Sequence, residues 1–231
     1  MEAMEQFRLQ EVTKSYGGAA VLSGINLSVS SGEKVAIMGP SGSGKSTLLH
    51  CMSGVLSPTS GAVLFDGTDI AAQSDAMRSR LRLKSFGFVF QDGQLLPELT
   101  AAENIALPAM LTGVPRGTAR KRALGLLEQL GLSALAHRRP GNMSGGQAQR
   151  IAVARALVTD PAVIFADEPT GALDQATGHE MMQLLTTLVT GRGTTLIMVT
   201  HDVKVANWME RRIEIRDGII HDDRLVGGVA R

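Results

Sequence analysis

Val35-Ala36-Ile37-Met38-Gly39-Pro40-Ser41-Gly42-Ser43-Gly44-Lys45-Ser46-Thr47-Leu48-Leu49 is the stretch that decides the fold. Four apolar residues read as a strand, Gly39 to Ser46 matches G-x-x-x-x-G-K-[ST], and Leu48, Leu49 and Met52 continue as the apolar face of a helix. In that order the parts form a phosphate cradle. Gly42 and Gly44 let the backbone wrap the anion, and its charge rests on amides at the positive end of the new helix. Lys45 has the reach for β- and γ-phosphates, and the Ser46 hydroxyl suits Mg²⁺. A plain glycine-rich strand–helix turn is the competing reading, and the strand before and the helix after favour the cradle.

Outward from this loop the chain reads as one large α/β domain. Its 231 residues suffice for a proper core carrying a small inserted subdomain, and are too few for two nucleotide domains. Lys and Arg number 23 against 22 Asp and Glu, so no strong basic field is available for a nucleic-acid backbone or an anionic membrane. Nucleic acid is not expected as a partner. The single cysteine, Cys51, excludes an internal disulfide framework and fits a reducing compartment. Met1–Gln6 is acidic and lacks the basic start and apolar run of a signal peptide. No run of about eighteen apolar residues occurs, so a transport role would need another polypeptide for the pore.

Short β-rich segments at Phe7–Val12, Ile25–Val29 and from Ala62 flank the loop as an N-terminal antiparallel β subdomain. Phe86–Phe90, Ala162–Ala166 and Thr194–Thr200 are nearly continuous apolar runs, as buried strands of a mostly parallel sheet are. Between them, from about 92 to 155, Ala123, Leu124, Leu127 and Leu130 recur at helical spacing, which marks an inserted α-helical subdomain. The catalytic core is then 1–91 and 156–231. A helix is expected around Val203–Arg211, then a hairpin turning at Asp217-Gly218, then a loose tail over the last ten residues.

Two further motifs carry chemistry. Val163-Ile164-Phe165-Ala166-Asp167-Glu168 brings two carboxylates to the carboxyl end of a strand, where an open α/β sheet places its ligands. Asp167 suits Mg²⁺ held through water, and Glu168, one residue nearer the mouth, suits polarisation of an attacking water. Ser144-Gly145-Gly146-Gln147 forms an S-x-x-Q capping box at the start of a helix through Ile151, Ala152, Arg155 and Ala156. Such boxes open ordinary helices. Here two successive glycines add bare amides at a second positive helix end, which suits a γ-phosphate presented by another subunit.

Taken together these residues resemble the nucleotide-binding subunits of ATP-binding-cassette (ABC) transporters along nearly the whole chain: a P-loop NTPase core with the β and helical subdomains just described. The resemblance implies ATP and Mg²⁺ as ligands. It assigns Gly39, Ser41, Gly42, Ser43, Gly44, Lys45, Ser46 and Thr47 to the nucleotide phosphates, and Ser144, Gly145, Gly146 and Gln147 to the signature segment. Gln91 resembles the Q-loop glutamine, near Mg²⁺ or water, and Gly171-Ala172-Leu173-Asp174 resembles the D-loop that crosses a dimer interface. His201 matches the switch histidine, and Tyr16 sits where the family stacks an aromatic on adenine. With Lys45, Glu168, Gln91 and His201 form the implied catalytic set, and Ser46, Gln91 and Asp167 the metal set. The signature departs from the common form at Met143 and Ala148, and the D-loop at Gly171.

Leu95-Leu96-Pro97, Leu99-Thr100-Ala101, Glu103-Asn104 and Leu107-Pro108 are similar to one branch, the ATPases of lipoprotein-release, macrolide-export and haem-export systems. That likeness implies an ATP-sandwich dimer with a second copy, and a membrane permease engaged through a groove near Gln91–Pro108. It also implies a place at the cytoplasmic face of the cell membrane and an exported or extracted hydrophobic cargo. Rival readings are a non-transport ABC ATPase of the cell-division or iron–sulfur type, and a P-loop kinase or GTPase. His50, His137, His179 and His221 lack ligand spacing, and Arg120-Lys121-Arg122 reads as a solvated helix face.

Overall fold

The structure, a computed structural model, describes residues 4–226. Met1–Ala3 of the acidic start and 227–231 of the expected tail therefore lie outside the described residues. The described residues fold as two compact units, one of residues 4–82 and 188–226, the other of residues 83–187.

The first unit opens with β1 (Glu5–Tyr16), β2 (Ala19–Ser30), β3 (Lys34–Met38) and α1 (Lys45–Met52). β4 (Ser60–Phe65), β5 (Thr68–Asp69) and α2 (Asp75–Ser85) follow. β1 alternates, burying Phe7 and Leu9 and exposing Arg8 and Gln10, and pairs antiparallel with both β2 and β4. Phe7 meets Phe65 across this pairing with ring centroids 5.1 Å apart. The two long strands tolerate a register shift between Leu9 and Val12, where Glu11 stands at φ 48° and its amide donates to Asn26 Oδ1 at 3.0 Å. α2 has no apolar stripe and buries no residue. Arginine anchors it instead: Arg78 donates to the Gln73 carbonyl at 3.0 Å and Arg82 to that of Gly54 at 2.7 Å.

The second unit begins within α2 and carries β6 (Phe86–Phe90), α3 (Ala101–Leu111), α4 (Arg116–Gln129), α5 (Gly145–Leu157) and β7 (Val163–Asp167). α6 (Gln175–Arg192) leads out of it. β6 and β7 pair in parallel, and Phe165 takes Phe86 edge-on at 5.2 Å and Phe88 stacked at 5.7 Å. α5 presses so close to β6 that a Cβ on Gly87 would lie 2.4 Å from the Ala156 carbonyl oxygen. Residues 92–100, between β6 and α3, contain no regular element, and Thr100 with Glu103 forms the capping box that starts α3.

The chain then returns to the first unit as β8 (Thr195–Val199), α7 (Val203–Ala206), β9 (Arg211–Arg216) and β10 (Ile219–Leu225). β3 lies in parallel between β8 and β9, and β8 is buried throughout, as strands covered on both faces are. Asp217 and Gly218, at φ 48° and 76°, make the tight turn expected of that pair. Two expectations change here. The helix after His201 is one turn long because Arg211 already belongs to β9, and residues 222–225 of the tail are strand. The physical reason for the second is Arg211, whose guanidinium donates to both carboxylate oxygens of Asp223 at 2.6 Å and to Glu33 at 3.1 Å. That fork holds the strand end in register. Among the described residues no helix is long and apolar enough to cross a membrane.

Candidate nucleotide site

In the first unit, β3 ends at Met38 and the loop of residues 39–44 delivers α1. Gly39 stands at φ 151°, where a Cβ would fall 2.0 Å from the Ile215 carbonyl oxygen and 2.7 Å from Ser43 Oγ. Gly44 is the left-handed N-cap of α1 at φ 98°, and a Cβ there would lie 2.7 Å from the Val21 carbonyl oxygen. No other residue fits either position without moving backbone. No side chain caps α1.

Two polar groups face inward in this loop. Lys45 is buried and donates from Nζ to the Pro40 carbonyl at 2.8 Å, so the loop itself holds the ammonium in place. Ser43 Oγ is buried with no hydrogen-bond partner, an expense that a bound oxyanion would relieve. A cradle closed to Cβ atoms, a held ammonium and an orphan hydroxyl together fit a polyphosphate chain.

His201 lies two residues past β8, exposed, and lines a concavity of about 510 Å³ with Gly39 and Pro40 of the loop and with Arg212, Glu214 and Arg216 of β9. The structure thus brings His201 and the loop start together. Tyr16 closes β1, half-exposed at 48 %, and Lys14 Nζ stands 5.2 Å from its ring centroid.

In the second unit, β7 brings Asp167 to its last position and the chain turns at once: Glu168 adopts φ 48°, a left-handed conformation unusual for this residue type. Such backbone strain persists where the surroundings hold it. Gln91, the residue after β6, lies over Gly171, where a Cβ would come within 3.0 Å of its side-chain amide. The departure at Gly171 therefore makes room for Gln91.

The signature segment folds as its spacing predicts. Ser144 Oγ accepts from the Gln147 amide at 3.2 Å, and the Ser144 amide donates to Gln147 Oε1 at 3.0 Å. Gly146 has a packing role as well, since a Cβ there would lie 2.5 Å from Thr177 Cγ2, whereas one on Gly145 would make only an ordinary contact at 3.8 Å with Leu173 Cδ2. Asp174 caps α6: it accepts from the amides of Ala176 and Thr177 at 3.0 Å and from Thr177 Oγ1 at 2.6 Å. These bonds hold its carboxyl below the usual aspartate value.

Sequence reasoning missed the bonding roles of three side chains, Asn104, Gln149 and Arg155. Asn104, buried in α3, donates to the carbonyls of Leu96, Leu99 and Thr100 and accepts from the Leu96 amide, so one side chain shapes the loop at 96–100. The T-x-x-E box at Thr100 was a local sign of that helix start. Gln149 and Arg155 on α5 bond backbone carbonyls distant in sequence, which no local signal reveals.

Comparison with known proteins agrees with this geometry. A family model described as "ABC transporter" matches residues 22–171. The chain is similar to the lipoprotein-releasing system ATP-binding protein LolD of Oleidesulfovibrio alaskensis, 46% identical over 220 residues covering 94% of this chain and 95% of that one. It is 46% identical over 220 residues to the macrolide export ATP-binding/permease protein MacB of Nitrosomonas europaea, covering 93% of this chain and 33% of the longer protein. Among solved structures it is similar to MJ0796, a bacterial ABC transporter cassette in dimeric form. The TM-score is 0.88 at 42% identity, over 96% of this chain and 99% of that one. A post-hydrolysis dimer of the same cassette with ADP and Pi matches with TM-score 0.88 at 41% identity, covering 96% of this chain and 99% of that one.

Proposed function

Because this chain belongs to the ABC transporter family as an ATP-binding, ATP-hydrolysing subunit, we propose that two copies close on two ATP molecules, and that each P-loop meets the Ser144–Gln147 segment of the other copy. The observation that carries this reading is the loop at 39–45, shaped to fit an oxyanion: glycines at Gly39 and Gly44, held Lys45 and orphan Ser43 Oγ. Closure driven by ATP at both sites supplies the differential affinity that reverses a two-state equilibrium, and hydrolysis lets the pair reopen.

Within each site Gly39 and Ser41–Thr47 hold the phosphates, Lys45 stabilises charge on the transferred phosphoryl group, and Tyr16 stacks on adenine. Ser46, Gln91 and Asp167 offer a hydroxyl, an amide oxygen and a carboxylate, hard oxygen donors that suit Mg²⁺. When bound, that ion offsets phosphate charge. Glu168 polarises the attacking water with His201 and Gln91 orienting it, and Asp174 orders the D-loop from its cap on α6.

The partner proposed is a membrane permease seated on the segment from Gln91 to Pro108, where Leu96 is 44% exposed on the loop shaped by Asn104. This places the subunit at the cytoplasmic face of a membrane. Similarity to lipoprotein-release and macrolide-export proteins supports export or extraction of a hydrophobic cargo. The test is Glu168→Gln: the variant should bind ATP, hydrolyse it very slowly and accumulate dimers in size-exclusion chromatography. Full steady-state ATPase in that variant would remove Glu168 from the role.

A further inference from the structure

Gln149 lies in the second turn of α5, 2% exposed, and its Nε2 donates to the Phe90 carbonyl at 2.7 Å and the Pro169 carbonyl at 2.8 Å. These acceptors are 59 and 20 residues away in sequence. Phe90 immediately precedes Gln91, and Pro169 immediately follows Glu168. One amide therefore joins the chain at the two residues assigned to the water. Glycine at 93 leaves room for its Oε1, which would stand 3.2 Å from a Cβ built there.

A second tie lies farther along the helix. Arg155 donates to the carbonyls of Gly93 at 2.7 Å and Gln94 at 2.6 Å. Gly93 and Gln94 stand at φ 69° and 43°, so two successive left-handed residues shape the loop where the guanidinium grips it. Leucine would fill the Gln149 space, take the side-chain donor from the buried Pro169 carbonyl and leave the Phe90 carbonyl with the Gly93 amide alone, and asparagine is a methylene too short to span both.

We propose that Gln149 is a positioning residue for hydrolysis: its amide sets the spacing between the chain at Gln91 and the chain at Glu168, and with Arg155 it makes displacement of the 91–94 loop felt at the Glu168 carboxylate. This rests on the roles given above to Glu168 and Gln91. Packing alone would ask only for volume at this position. The bonding pattern asks for two donors on one rigid group.

The test uses the full chain with Q149L, Q149E, R155K and E168Q, measuring steady-state kcat, affinity for a fluorescent ATP analogue and thermal melting. Q149L should lose about tenfold or more in kcat with nucleotide affinity within about twofold, because misplaced catalytic groups slow chemistry more than binding. R155K, which keeps one donor group, should lose less. In Q149E the carboxylate repels both carbonyls, but its neutral form donates one bond. Its kcat relative to wild type should therefore rise as pH falls from about 8.5 to about 6. A folded Q149L with kcat within about twofold of wild type, or a flat relative pH profile for Q149E, overturns the inference. If Q149L does not fold, the Q149E profile decides. An inactive wild type, or an E168Q that turns over normally, would instead sink the reading of the site itself.

Discussion

The helix starts at Gly44 and at Ser144 look alike in sequence and differ in what they do with their amides. α1 begins on a left-handed glycine with no side-chain cap and a buried, unpartnered serine hydroxyl beside it. α5 begins on a serine whose hydroxyl and whose partner glutamine engage two of its own backbone donors, and its second glycine is packed against Thr177. The first is held open by geometry that leaves an anion to complete it. The second has two of its donors bonded within its own capping box, which fits a surface that only meets a phosphate brought to it.

If this contrast is right, Gly39→Ala should be the most damaging of the single changes. Its Cβ would meet the Ile215 carbonyl oxygen at 2.0 Å, so backbone must shift. We expect about 3 kcal/mol or more of lost stability and loss of measurable ATP binding, read by thermal melting and calorimetric titration. A Gly39→Ala chain that binds ATP normally would end the idea of a preformed cradle.

Gly146→Ala is the matching change at the other helix, and the clash is with a single methyl group at 2.5 Å. It should cost about 1–2 kcal/mol, and most of that should return in the double variant with Thr177→Ser, which deletes the methyl and keeps the hydroxyl on Asp174. Absence of coupling in that cycle would mean the glycine serves its amide alone. Ser144→Ala should be milder, about 1 kcal/mol from the lost cap, with ATP affinity of the isolated subunit unchanged. Weakened binding by the isolated subunit would break the distinction between the two starts.

The smallest effect concerns Asp174. Its carboxyl titrates below the usual value because it accepts bonds from Thr177 and Ala176. A depressed folded-state pKa means that the cap contributes fully above the unfolded value and is lost as pH falls through the depressed one. Melting temperature between pH 5 and about pH 3 should therefore fall less steeply for Asp174→Asn than for wild type. Equal slopes would show that α6 does not depend on this carboxylate.

Much of the fold was legible because its signals are local. The alternation in β1, the apolar runs of β6, β7 and β8, the Asp217-Gly218 turn and the Ser144 box each express the physics of a few adjacent residues. What stayed hidden was held by distant partners. α2 has no apolar stripe to read and is tied by Arg82 to the Gly54 carbonyl, and Leu225 ends a strand because Arg211 grips Asp223.

The same division runs through the site. Residue types and spacing alone determined that the chain carries a phosphate-binding loop, an acidic strand end and a second glycine-rich helix start, because backbone freedom, charge and helix dipole are properties of short segments. Only the tertiary structure decided that Glu168 stands in a left-handed conformation, that Gly171 leaves room for Gln91, and that Gln149 bonds the chain beside both. A buried carbonyl must find its donor wherever packing brings one near, and nothing in a linear pattern records which donor that is.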